Sequence, residues 1–130
     1  MAIRILIADS HQRVRTAVVN LIRDSGENWE VCCEVEDGQA AIDKARELKP
    51  DVAILDLTMP LRDGLTASYL IHKFFPEIPI VLLSMLSSSW LEVEAKRVGI
   101  QAVVDKSNGT ELIAAIRRLL QVVPTSSNAT

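Results

Sequence analysis

The sequence predicts one α/β domain, a doubly wound five-stranded parallel sheet with helices on both faces. Three observations predict it. The 130 residues suffice for one domain with a core of its own. Short runs rich in Val, Ile and Leu alternate five times with amphipathic stretches. Most of those runs are apolar on both faces, as strands buried within a parallel sheet must be. Parallel strands need crossover connections, so repeated strand–helix alternation lays helices over the sheet.

The strands are expected at residues 3–8, 30–34, 52–55, 80–83 and 102–104. The second run carries Glu30 and Glu34, with Glu36 just beyond, and this half-polar character suits a sheet edge. Pro79 stands at the mouth of the fourth run, where a missing N–H costs least. Between the runs, Val14, Val18, Leu21 and Ile22 share one face of a first helix, and Ala41, Ala45 and Leu48 one face of a second. Gly64 opens a third helix that runs through Phe75, with Leu70 and Phe74 one turn apart. A fourth is expected over about residues 88–98, stopped by Gly99. The last carries Leu112, Ile116 and Leu119 as an apolar stripe. The domain is expected to occupy residues 1–123. Residues 124–130, rich in Pro, Ser, Thr and Asn, read as a tail or the start of a linker.

Composition excludes several classes of function. A formal charge of −3 argues against a nucleic-acid surface, which gathers basic residues on one face. Cys32 and Cys33 are adjacent, so on a strand they point to opposite faces and pair poorly. Two buried thiols in a reducing compartment is the simplest reading, and no spacing resembles a zinc site. The apolar runs are too short for a signal peptide or a membrane span, which predicts a soluble, cytoplasmic protein with no membrane partner.

In open sheets of this kind ligands bind beyond the carboxyl ends of the strands. There the sequence offers Asp9 and Ser10 after the first run, and Asp56 and Thr58 after the third. Ser84 follows the fourth, and Asp105 and Lys106 the fifth. One strand-end Asp is weak evidence, because such residues often cap turns. Two carboxylates, a hydroxyl and a lysine gathered from four strand ends suit different chemistry. Paired carboxylates repel unless a cation joins them, and Mg²⁺ is held by one or two carboxylates with phosphate oxygens. A carboxylate can also attack phosphorus and form an acyl phosphate.

The segment Asp56-Leu57-Thr58-Met59-Pro60 with Asp63-Gly64, the segment Leu82-Leu83-Ser84-Met85, and the late Lys106 resemble the response-regulator receiver family over essentially the whole chain. Val104-Asp105-Lys106 and the Leu-Leu-Ser-Met segment are most similar to receivers that precede a LuxR-type helix-turn-helix domain. The resemblance implies a flavodoxin-like (βα)5 fold with strand order 2-1-3-4-5. It implies Asp56 as phosphoacceptor and Asp9 as an acidic residue of a Mg²⁺ site. Thr58 would give its backbone carbonyl to the metal, and Ser84 and Lys106 would contact the phosphoryl group. Implied partners are a sensor histidine kinase and an output domain or second copy, reached through the fourth helix, fifth strand and fifth helix. No direct nucleic-acid contact is implied.

The sequence departs from the family at several positions. Ser10 stands where the family usually has a second acid, which predicts weakened Mg²⁺ binding. Val103 occupies the strand-five position that often carries a switching aromatic, and Ser107 the position usually held by a cis proline. Met85 is bulkier than the residue common beside Ser84, and is expected to narrow access to Asp56. These departures keep a second function open: a receiver acting as a phosphorylation-independent interaction module. A phosphohydrolase would want an acid two residues beyond its nucleophile, and Thr58 stands there instead, so an enzyme is not expected. His11 reads more simply as a partly exposed residue of the first helix than as a ligand. Arg13, Arg15 and Arg23 read as a solvated face. Trp90 and Leu91 suit either a partner surface or packing on a neighbouring helix.

Overall fold

The computed structural model describes the backbone of residues 2–85 and 88–125, and their side chains up to residue 121. Five strands alternate with five helices: β1 (Ile3–Ala8), α1 (Gln12–Asp24), β2 (Trp29–Val35), α2 (Gly38–Leu48), β3 (Val52–Asp56), α3 (Gly64–Phe74), β4 (Ile80–Ser84), α4 (Ser89–Arg97), β5 (Ala102–Asp105) and α5 (Gly109–Thr125). All pairings are parallel, in the order β2-β1-β3-β4-β5. Each strand begins and ends within one residue of its expected place. Of the expected tail, residues 126–130 lie outside the described residues, and α5 itself reaches Thr125.

The two-residue period of the strands divides the core in two. Leu6, Ala8, Leu55 and Leu82 pack with Ala41 and Ala45 of α2, Ala67 and Ile71 of α3, and Leu91 and Ala95 of α4. Ile5, Ile7, Ile54, Val81 and Leu83 point the other way, onto Val18 and Ile22 of α1 and Leu112, Ile116 and Leu119 of α5. Each large side chain so buried stabilises the fold by roughly 1.5–3 kcal/mol. β3, central in the sheet, is buried along its whole length.

Helices α2, α3 and α4 begin where a short polar side chain can bond a free N–H group. Asp37 accepts from Ala40, Asp63 from Thr66 and Ser88 from Leu91. Gly99 follows α4 at φ +91, and an added Cβ would lie 2.3 Å from the His72 ring, so only glycine fits this stop.

Two expectations need correction, the end of α3 and the burial of the cysteines. On α3 the buried side chains are Ala67, Ser68 and Ile71; Leu70 packs partly buried against the same core, while Phe74 is 60% exposed. The helix ends at Phe74, with Phe75 as its C-cap. The cysteines are half-buried rather than buried. β2 is an edge strand, as its acidic residues suggest, but its register skips between Val31 and Cys33, leaving Cys32 as a bulge. Burial is the main cause holding the Cys32 thiol above its ordinary value. Trp90 and Leu91 divide: Leu91 is buried in the core, whereas Trp90 is 64% exposed. Among the described residues no helix is long and apolar enough to cross a membrane.

Candidate functional site

The sheet register gathers the expected residues. Ala8 pairs with Leu55, so the next residues, Asp9 and Asp56, leave adjacent strands side by side. Asp56 pairs with Leu83, and Ser84 with Asp105, which brings the ends of β3, β4 and β5 to one level. Backbone bonds continue the sheet past its formal ends: Leu57 N–H donates to Leu83 C=O at 2.9 Å, and Lys106 N–H to Ser84 C=O at 3.0 Å. Asp9, Asp56 and Ser84 are all buried, at 1%, 3% and 2% exposure, which is unusual for carboxylates unless they are paired.

Lys106 pairs with both. Its Nζ lies 3.0 Å from Asp9 Oδ2 and 3.0 Å from Asp56 Oδ1. The approach to Asp9 is a charge contact without the alignment of a good hydrogen bond. Burial raises the Asp56 carboxyl above its ordinary value, and the charge of Asp9 adds to the rise. Hydrogen bonding and the charge of Lys106, with the backbone N–H of Thr58, pull it only partly back. For Lys106 burial works against the charged form, but the adjacent carboxyls of Asp9 and Asp56 outweigh it and raise its value. Asp56 and Lys106 thus both favour keeping a proton in the pocket.

Close backbone packing supports the pocket. Gly64 N–H donates to Leu57 C=O at 2.7 Å, and a Cβ on Gly64 would lie 2.2 Å from the Asp56 carbonyl oxygen. Only hydrogen fits there, which accounts for glycine at the start of α3. Thr58 has an exposed side chain and turns its N–H toward the Asp56 carboxylate. Met85 is 72% exposed. Val103 is half-buried against the α2–α3–α4 core. The Lys106–Ser107 peptide is trans, and Ser107 bonds Asp105 through its N–H and hydroxyl. Those bonds hold the exposed Asp105 carboxyl below its usual range.

One residue of the site, Arg15, was read otherwise from sequence. Arg15 is no part of a solvated face: its side chain is 12% exposed, its Nη1 donates to the Asp9 carbonyl at 2.7 Å, and its Nε reaches Glu34 at 3.3 Å. It ties the end of β1 to β2. His11 caps the N-terminus of α1, and its Nδ1 lies 3.3 Å from Asp9 Oδ1. The signal for His11 was its place two residues beyond Asp9. Donor atoms of Asp9, His11 and Asp56 lie within 4.8 Å of one another, a spacing that fits one divalent cation. Two carboxyls against a single ammonium also leave a donor set of the right sign for such an ion.

The family model for the response regulator receiver domain matches residues 5–117. The chain is 31% identical to the response regulator GacA of Pseudomonas viridiflava over 116 residues, 88% of this chain and 54% of that protein. It therefore spans about half the length of that relative. It is 34% identical to the chemotaxis protein CheY of Listeria monocytogenes over 104 residues, 80% of this chain and 86% of CheY. Among solved structures, a LuxR-family two-component response regulator from Aurantimonas sp. SI85-9A1 superposes with a TM-score of 0.87 at 30% identity, covering 93% of this chain and 86% of the other.

Proposed function

The chain belongs to the response regulator receiver domain family of two-component systems, and from that premise we propose that Asp56 accepts a phosphoryl group from a histidine kinase. A carboxylate oxygen of Asp56 forms the new bond to phosphorus as the P–N bond of the kinase's phosphohistidine breaks. The imidazole leaves with the electron pair and takes up a proton. The single observation that carries this reading is the Lys106 ammonium, 3.0 Å from each of two buried carboxyls. It would neutralise charge on the transferred group, which is most of what a protein contributes to phosphoryl transfer. Asp9, Asp56 and the Thr58 carbonyl would hold Mg²⁺, and Ser84 would donate to a phosphoryl oxygen. The ion, when bound, supplies positive charge to the phosphoryl oxygens.

Loading changes what Ser84 and Lys106 contact, and that difference biases the face made by α4, β5 and α5. Trp90 and Val93, 64% and 57% exposed on α4, suit that face to a partner. The partner is an output domain or a second copy, and the working place is the cytoplasm. Incubation with Mg²⁺ and acetyl phosphate, followed by intact mass and peptide mapping, is expected to put one phosphoryl group on Asp56, and Asp56→Asn should abolish it. No uptake, or uptake elsewhere, overturns the proposal. Ser10 in the place of an acid favours one second reading, an interaction module indifferent to phosphate. That reading predicts the same partner affinity with and without beryllofluoride.

A further inference from the structure

His11 has no part in the reading above, yet its ring is held in a specific place for a side chain 70% exposed. Though it caps α1, it makes no side-chain bond to that helix. Its backbone N–H donates to Asp9 Oδ1 at 2.8 Å. Its Nδ1 lies 3.3 Å from the same oxygen and 3.4 Å from the Ser10 hydroxyl. Lys106 takes the other oxygen of Asp9, Oδ2, so ammonium and ring address different sides of one carboxyl.

The spacing suits shared coordination. Donors about 2.1 Å from one ion lie about 3 Å apart when adjacent and about 4.2 Å apart when opposite. The Nδ1–Oδ1 separation of 3.3 Å is close to the first, and the 4.8 Å span of the Asp9, His11 and Asp56 donors needs only a small contraction to meet the second. Ser10, beside this cluster, offers a neutral hydroxyl where a carboxylate would bind a hard cation better. Mg²⁺ wants oxygen donors throughout, whereas imidazole favours borderline ions such as Zn²⁺ and Co²⁺.

We propose that His11 is a metal ligand of this pocket, completing the site in place of an acid at position 10 and shifting its preference from Mg²⁺ toward Zn²⁺ or Co²⁺. This rests on the reading of the pocket as a cation-and-phosphate site and adds to it a ligand and an ion preference. Two carboxylates and one imidazole leave positions open for water and a phosphoryl oxygen, so the ion would remain usable at a loaded Asp56.

The test titrates the ¹⁵N-labelled chain with Zn²⁺ and, separately, Mg²⁺, with calorimetry in parallel. Long-range ¹H–¹⁵N spectra separate the ring nitrogens of His11 from those of His72. The expected result is a shift of a His11 ring nitrogen on adding Zn²⁺. His11→Ala should weaken Zn²⁺ by at least the roughly tenfold that losing even an outer-shell partner costs. Mg²⁺ binding should change much less, and Ser10→Asp should move the preference back toward Mg²⁺. The exposed position of His11 lets His11→Ala fold, which circular dichroism checks. Zn²⁺ affinity unchanged in His11→Ala but lost in Asp56→Asn overturns the His11 assignment and leaves the phosphoacceptor reading standing. Failure of Mg²⁺, Zn²⁺ and beryllofluoride alike to perturb Asp9 and Asp56 overturns both.

Discussion

Replacing Lys106 by Met removes the cation lying between Asp9 and Asp56 and leaves a side chain of similar length. Each 3.0 Å contact corresponds to about 5–6 kcal/mol of attraction at an effective dielectric near 20, much of it offset by desolvation. Breaking a buried pair by deleting one partner costs about 3–5 kcal/mol, because the other charge stays behind unpaired. The Lys106 side chain retains 10% exposure, so the lower end applies, about 3 kcal/mol at pH 7. The loss should depend on pH. Asp56 already sits above its ordinary value, and without Lys106 it must rise further. A carboxyl whose folded value exceeds its unfolded value favours the protonated fold. The variant therefore gains stability as pH falls and loses it as pH rises through the carboxyl range. In the parent the Lys106 contribution is fully present below its ordinary value of 10.5 and lost only above the raised folded one. Urea denaturation followed by circular dichroism at pH 7 and pH 5 should show the deficit shrinking by about 1 kcal/mol or more at pH 5. Adding Asp56→Asn should recover a large part of it at pH 7. A deficit below about 1 kcal/mol, equal at both pH values and untouched by the second substitution, would refute the coupled-charge account of the pocket.

Four further substitutions follow from the same geometry. Gly64→Ala should cost about 1–3 kcal/mol in urea denaturation and shift the Asp56 amide resonance, since the added methyl collides with backbone at 2.2 Å. Arg15→Ala should cost about 1.5–2 kcal/mol by the same assay, mostly through the lost charged bond to the Asp9 carbonyl. Leu61→Gly should stabilise by about 0.5 kcal/mol in thermal denaturation, since Leu61 sits at φ +68 with its side chain 79% exposed. Ser10→Asp should raise Mg²⁺ affinity roughly tenfold by calorimetry, through the added carboxylate donor.

The fold was legible because its strands are short, apolar on both faces and separated by helical patterns, so period and length agree. The pocket was legible for a related reason: parallel register brings strand ends together, and strand ends can be counted from the sequence. What escaped was direction and register. Val31-Cys32-Cys33 carries no residue that marks a bulge, so the skip at Cys32 had no local sign. Leu70 and Phe74 lie one turn apart, but the fully buried side chains of α3 are Ala67, Ser68 and Ile71, and Phe74 is 60% exposed. Arg15 and Arg13 look alike in sequence. Only the fold shows that Arg15 reaches the Asp9 carbonyl while Arg13 is exposed. For His11 the spacing was visible, but the turn of the ring toward Asp9 follows from the path of the chain between β1 and α1.

The pocket is costly to stability, and that bears on which of the two functional readings it supports. A buried cluster of two carboxyls and one ammonium is commonly no more stable than apolar side chains of similar volume, and often less stable by about 1–4 kcal/mol. The raised Asp56 value is the local sign of that cost. An interaction module indifferent to phosphate would have no use for it, since α4 and its exposed Trp90 sit on the surface whatever fills the strand ends. A phosphoacceptor has a use for each part: a carboxylate poised to attack, a second acid for the cation, and an ammonium that can pass from carboxyl to phosphoryl oxygen. The charges of Asp9, Asp56 and Lys106, held within 3.0 Å contacts, therefore favour the phosphoacceptor reading over the phosphate-independent one, and uptake from acetyl phosphate at Asp56 decides between them.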